Sequence, residues 1–405
     1  MAMNEHLGIA SSQRVILTGA EAMALAYELA GVRIAYVFPI TPQTEVLETM
    51  VKSQRVRVIP SDSEFNAIAS ATGVFWGGER CAIYTSSQGL VLMSEVMWEV
   101  AGNRLPMVMG VFNRALRGPA WTLGPQQNDS LFMRDTGWLQ FFCETAQDVF
   151  DFTLLAMRVA ERVCLPALVC GDGFYLSHQK EEVAIPDEAA VRGFVGELAI
   201  PDLPDSSRPA TFGGVVASPQ QYFRLSERIH RDVVGSQDVF LEVAKGFEVL
   251  FGRRRTLTEP YEMEDAELVL MASGATCGAV REEVTRRRRR GQKVGLLKLC
   301  SIRPLPVGEM LRHLRPGQKV AVLDRNLTTG VGGIFHCEIS AALRGLVDHI
   351  VLLGCITGLG GVDLTPEAAG ELIDYLAAAG PAQQGLVHFL DEEGLHAVGR
   401  AERCN

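Results

Sequence analysis

Two α/β domains built on parallel sheets, the second smaller than the first, are what this sequence predicts, and three observations carry the prediction. Short β-rich runs alternate with helical stretches, once before and once after a polar, proline-bearing interruption. The β-rich runs are almost continuously apolar, as strands covered by helices on both faces must be. A chain of 405 residues is also too long for one compact core.

In the first half the strands fall at 33–38 (RIAYVF), 56–59, 81–85 (CAIYT), 106–112 (PMVMGVF) and 166–170 (PALVC). Helical patterns lie between them at 20–29, 45–51, 64–75, 90–101 and 148–162. The stretch 201–209 (PDLPDSSRP) reads as a connection. A long helical region follows at 219–252, amphipathic in places and expected to pack across the domains. The second unit has strands at 267–272, 293–299, 319–323 and 350–353. Its last helix is signalled by Thr365 as N-cap and Pro366 in the first helical position. The divisions read as 14–200 for the first domain, 201–262 for linker and helical region, 263–380 for the second domain and 381–405 for a C-terminal tail.

The charge of −10, with 47% hydrophobic residues, argues against nucleic acid as the main partner, because phosphate binding needs a basic face. The basic run Arg286 to Arg290 suits the solvated last turn of a helix before Gly291. The polar first twelve residues carry no secretory h-region, and no apolar run approaches a membrane span. Nine scattered cysteines contain no C-x-x-C pair, so no local ligand set for zinc or an iron–sulfur cluster is expected. They read as thiols in a reducing cytoplasm.

In parallel sheets ligands sit beyond the carboxyl ends of the strands, so the chemistry belongs in the loops there. The first such loop is Pro39-Ile40-Thr41-Pro42, presenting a threonine hydroxyl. After 59 comes Ser61-Asp62-Ser63-Glu64, where Glu64 could equally be a first-turn carboxylate favoured by the helix dipole. After 85 comes the small polar turn Ser86-Ser87-Gln88-Gly89. After 112 comes Asn113-Arg114, with Gln126 to Asp129 and Arg134 to Trp138 beyond. Arg114 could clamp a carboxylate through a bidentate pair or form a surface ion pair.

In order and spacing these segments resemble the alpha chain of the pyruvate:ferredoxin oxidoreductase family. The matches are PITP at 39–42, SDSE ending at Glu64, TSSQGL at 85–90, NRAL at 113–116, QQND, RDTGW at 134–138, DGFYLSH at 172–178 and LDRN at 323–326 followed by TGVGG. The resemblance runs from about residue 14 to 378. It implies a pyrimidine-type domain binding thiamine diphosphate, followed by a transketolase C-terminal-like α/β domain. By resemblance Glu64 contacts N1′ of the aminopyrimidine, where a shared proton promotes loss of the cofactor's C2 proton. Pro39, Ser87 and Gln88 join the cofactor site, and Thr41 and Arg114 hold the substrate carboxylate. Arg117 and Trp121 depart from the common pattern and are candidates for the substrate pocket, leaving room for a bulkier 2-oxoacid such as phenylglyoxylate; alternatively Trp121 is core and Arg117 faces solvent.

Gly171-Asp172-Gly173 looks like the start of the magnesium–diphosphate signature, but no asparagine follows before Asn326. No metal ligand is therefore assigned to this chain. The cofactor is expected to be shared with a diphosphate-binding beta chain that holds Mg2+, with iron–sulfur clusters on gamma or ferredoxin-like delta chains, coenzyme A as co-substrate and ferredoxin or another acceptor. A nicotinamide dehydrogenase would need G-x-G-x-x-G after the first strand, which neither 18–21 nor 330–333 supplies. A non-catalytic scaffold subunit of such a complex stays open as an alternative, under which Glu64 and Arg114 would be replaceable.

Overall fold

A computed structural model describes residues 10–116, 120–200 and 216–399. Arg117, the connection at 201–209 and Cys404 lie outside the described residues. In chain order the strands are β1 (Ser12–Thr18), β2 (Ile34–Val37), β3 (Arg57–Pro60), β4 (Cys81–Thr85), β5 (Val108–Asn113), β6 (Leu139–Cys143), β7 (Ala167–Asp172) and β8 (Lys180–Pro186). They continue as β9 (Thr258–Tyr261), β10 (Leu268–Ala272), β11 (Val294–Leu299), β12 (Ser301–Arg303), β13 (Lys319–Asp324), β14 (Val351–Thr357), β15 (Leu386–Asp391) and β16 (Gly394–Gly399).

Two seven-stranded sheets result. The first runs β12-β6-β7-β5-β4-β2-β3 and the second β16-β15-β14-β13-β10-β11-β9. From β6 to β3 every pairing in the first sheet is parallel. The apolar character of β4, β5 and β7 follows, since all their residues are buried. Helix starts carry the expected caps: Thr18 and Glu21 form a reciprocal capping box, and Thr365 Oγ1 accepts from Ala368 N at 3.1 Å.

Several elements differ from their sequence reading. The helix expected at 90–101 is two, Ser87–Leu92 and Ser94–Gly102, meeting at Met93. The residues expected as a tail from 381 instead supply β15 and β16, a hairpin that extends the second sheet beside β14. The long helix, Pro219–Phe251, packs mainly on the first unit and reaches past it where Gln237 Nε2 donates to Leu305 O at 3.2 Å. Phe240, Val243, Ala244, Phe247 and Phe251 enter the core of the first unit, with Phe240 stacked on Phe141 at 5.4 Å and Phe152 at 6.0 Å. The basic run does end the helix Thr276–Arg289, but it is not simply solvated. Arg287 grips Glu283 and Asp374, and Arg288 pairs with Asp265.

Two features join the units. β12, encoded after β11 of the second sheet, pairs antiparallel with β6 and closes the edge of the first. Beside it lies a buried charge cluster centred on Lys298, 2% exposed, whose Nζ is 2.7 Å from Asp148, 2.9 Å from Glu259 and 3.1 Å from Glu144. Arg255 reaches Asp148 and Asp151, Arg253 reaches Asp151, and Arg281 reaches Glu144. Glu144, Asp148 and Asp151 belong to the first unit, while Arg281 and Lys298 belong to the second, so the contact between units is ionic as well as apolar.

Candidate active site

The loops after β2, β3, β4 and β5 converge at the carboxyl edge of the first sheet, and Asp129 organises them. It is fully buried and accepts from Asn113 Nδ2 at 2.7 Å, Ser87 N at 2.8 Å, Ser130 N at 2.8 Å and Arg114 N at 3.1 Å. Burial pushes its pKa up, and these four bonds oppose that. Its neighbours in the QQND motif are ties of the same kind. Asn128 exchanges two hydrogen bonds with the Leu116 backbone. Gln127 bonds Asp172 and Ser273, linking the two units.

This frame holds Arg114. The guanidinium residue is 7% exposed, donating from Nη1 to Thr41 O at 2.6 Å and from Nη2 to Gln88 Oε1 at 2.8 Å. Its Nε has no partner, and among the described residues no carboxylate forms an ion pair with it. The surface ion pair left open by the sequence is therefore not formed. Burial lowers the Arg114 pKa, opposed by the charges of Asp129 and Glu64.

Glu64 opens the helix Glu64–Trp76, whose N-cap Ser63 accepts from Asn66 N at 3.2 Å. Its side chain is 7% exposed, and no described side chain hydrogen-bonds its carboxylate. Gly89 makes that position possible: a Cβ there would stand 2.5 Å from Glu64 Oε1 and 2.5 Å from Thr85 Oγ1. Thr85 Oγ1, buried beside the carboxylate, also has no partner. Thr85 and Gly89 fall in the TSSQGL segment, but the sequence alone assigns neither a role in the site. The signal available was a polar residue closing an apolar strand, followed by a glycine at a helix start.

The remaining candidates divide. Gln88 joins the cluster, with its oxygen committed to Arg114 and Ser87. Ser87 is fully buried in the left-handed region (φ 51°), a costly conformation for a non-glycine residue, fixed by its amide bond to Asp129 and its hydroxyl 2.9 Å from Ala115 O. Thr41 is half-buried and contributes its carbonyl, whereas Pro39 is exposed. Trp121 is 74% exposed and so is not core. Trp138 of the RDTGW motif is core, donating to Met97 O at 2.9 Å. Asp172 accepts from Ala275 N at 2.7 Å, a tie between units. Among the described residues, no group of three or more His, Cys, Asp or Glu is placed to hold a metal, and no helix is long and apolar enough to cross a membrane.

The polar atoms left over suit an aminopyrimidine edge and a small carboxylate: an acid without a partner, a hydroxyl without a partner and a guanidinium without a counter-charge. Comparison with known proteins shows the family. The pyruvate flavodoxin/ferredoxin oxidoreductase thiamine-diphosphate-binding family matches residues 26–245, and pyruvate:ferredoxin oxidoreductase core domain II matches 266–369. The chain belongs to the pyruvate flavodoxin/ferredoxin oxidoreductase family.

Among its relatives is pyruvate synthase subunit PorA of Methanothermobacter thermautotrophicus, 38% identical over 88% of this chain and 94% of the relative. PorA of Thermotoga maritima is 39% identical over 88% and 92%. Ketoisovalerate oxidoreductase subunit VorA of Pyrococcus abyssi is 36% identical over 86% and 90%. The fold is also that of the 2-oxoglutarate:ferredoxin oxidoreductase from Magnetococcus marinus, solved with 2-oxoglutarate, coenzyme A and succinyl-CoA bound. That match has a TM-score of 0.67 at 20% identity and covers 90% of this chain and 65% of the other. Family membership thus agrees with the resemblance read from the ordered loop motifs, and with the two parallel-sheet units they sit on.

Proposed function

We propose that this chain supplies half the active site of a thiamine-dependent, coenzyme A-linked oxidative decarboxylation of a 2-oxoacid, the other half lying on partner chains. The observation that carries the reading is the buried Arg114 guanidinium, without an ion-pair partner among the described residues and within the electrostatic reach of Glu64. Bound at this edge, thiamine diphosphate supplies the carbon nucleophile and electron sink that decarboxylation needs.

The chain's own residues then have distinct tasks. Glu64 holds a proton at N1′ of the aminopyrimidine, and Thr85 Oγ1 offers a further hydrogen bond nearby. Arg114, braced by Thr41 O and Gln88 Oε1, directs its free Nε at the substrate carboxylate and orients the bond to be broken. A planar guanidinium braced on two sides suits a carboxylate better than a mobile ammonium does. The short helices carrying Gln88 and Asp129 also hold the exposed Leu92 and Phe132, an apolar collar suited to a partner chain that excludes water. That partner would hold the diphosphate and Mg2+. Electrons would pass to iron–sulfur clusters on further chains and to ferredoxin, with coenzyme A taking the acyl group. Cys81, Cys143, Cys170, Cys277, Cys300 and Cys355 are buried free thiols, which supports a cytoplasmic setting. Pyruvate and branched or aromatic 2-oxoacids remain the substrate candidates, and Arg117 and Trp121 are proposed for the side-chain end of the pocket.

Arg114→Lys keeps the charge and loses the fork. In the assembled complex, kcat/KM should fall by about 1.5–3 kcal/mol, roughly tenfold to a hundredfold, and equally for pyruvate, 2-oxoglutarate and phenylglyoxylate. Unchanged kinetics with all three would remove Arg114 from the substrate site.

A further inference from the structure

The LDRN motif of the second domain contains two polar side chains whose roles are local. Asp324 accepts from Phe335 N at 2.9 Å and His336 N at 3.0 Å, and Asn326 Oδ1 accepts from Ile334 N at 2.8 Å. Both therefore hold the first turn of the helix Ile334–Leu343. Arg325, between them, has no such task. It is 3% exposed, and none of the ion pairs among the described residues includes it. Its Nε donates to Thr276 Oγ1 at 3.2 Å, its guanidinium lies 4.9 Å from the centre of the Tyr175 ring and also hydrogen-bonds that side chain, whose hydroxyl donates to Asp363, and its Nη1 has no partner.

A second orphan stands beside it. The parallel ladder pairs Asp324 with Ile356, so one residue further Arg325 faces Thr357. Thr357 is 2% exposed, and its Oγ1 is also without a partner. The next residue, Gly358, leaves room for the arginine, since a Cβ there would come within 2.9 Å of Arg325 Nε. The strand β14 thus ends in a buried hydroxyl, and a buried cation directly follows the last residue of the adjacent strand β13. Beside them β10 runs into the helix Thr276–Arg289, whose first residue is Thr276. Burying a cation that forms no ion pair is unfavourable, and the Thr276 hydroxyl and the Tyr175 side chain, itself tied to Asp363, offset only part of that. Carboxyl ends of adjacent parallel strands are also where α/β sheets take their ligands.

We propose that this edge of the second sheet is an oxyanion site, in which Arg325 and Thr357 bind a phosphate or carboxylate group. It is separate from the Arg114 site and does not depend on the reading of that site. The group comes either from a small phosphorylated molecule in solution or from an acidic side chain of a partner chain.

Inorganic phosphate is the probe, titrated into the full chain and, separately, into the assembled complex, with 31P line broadening as readout. Saturable binding to the chain is expected. Arg325→Gln and Thr357→Val should each weaken it about tenfold or more. Thr357→Val removes only an unpartnered hydroxyl, so it keeps the fold even if Arg325→Gln does not. Arg114→Lys is the control and should leave this binding in place. Binding to both chain and complex assigns the group to a solution ligand; binding to the chain alone assigns it to a partner's carboxylate. The proposal is overturned if phosphate does not bind the chain, if both variants bind it as wild type does, or if only Arg114→Lys abolishes it.

Discussion

Glu64→Gln slows hydrogen–deuterium exchange at the cofactor's C2 position by about 10²–10⁴-fold in the assembled complex, while thiamine diphosphate still binds. Glutamine keeps the shape of the side chain in a space bounded by Gly89 and Thr85, so packing is preserved. On the proposed reading, what it loses is the acid proton shared with N1′. Exchange isolates this step from substrate binding and from electron transfer, so turnover alone is not relied upon. Unchanged exchange would take Glu64 out of the mechanism and return it to the role of a first-turn carboxylate favoured by the helix dipole.

Lys298→Met is the second large effect, and it falls on stability. Methionine matches the volume but leaves Glu144, Asp148 and Glu259 sharing a buried site with one cation fewer. Removing one partner from a buried ionic cluster costs about 3–5 kcal/mol, read as a lower urea midpoint. The same cluster sets an acid limit. Burial works against the Asp148 charge, but Lys298 and Arg255 outweigh it and hold the pKa at about 2, below the ordinary 3.8. A depressed carboxylate stabilises the fold above its unfolded pKa, and that stabilisation is lost as pH falls from about 4 to about 2. Wild-type midpoints should decline across that window, and the Lys298→Met variant should decline less. Equal midpoints for the two proteins at pH 7 would show the cluster to be energetically neutral.

Much of this architecture is legible in the sequence, because β4, β5 and β7 are apolar throughout and bounded by turns or polar residues. The strand 81–85 could be read end to end for that reason. The ordered loop motifs were legible too, since each sits where an apolar run stops. β12 was not: it is three residues long, and its partner β6 lies far away in sequence, so nothing local announces it. The hairpin at β15 and β16 was hidden by the acidic turn at Glu392 and Glu393, which reads as tail. Lys298 did leave a sign, a lone cation in the apolar run VGLLKL, but its three carboxylates come from two other segments. Trp121 could be read as core or pocket wall from its indole alone, and only the fold places it at the surface. For Arg114 the sequence offered two roles, and burial without an ion-pair partner among the described residues removed one of them.

The pairing of β12 with β6 also imposes an order on biosynthesis. Once β7 has left the ribosome, six strands of the first sheet exist, but β6 (LQFFC) still presents a bare apolar edge. Its cover is not synthesised until Arg303. At about 5–20 residues per second, the wait is on the order of ten seconds. During that interval the nascent chain carries an unpaired strand of the kind that joins neighbouring chains into aggregates. The first sheet, although encoded first, is therefore finished only after three of the second sheet's seven strands have been made, and its edge stays uncovered in between.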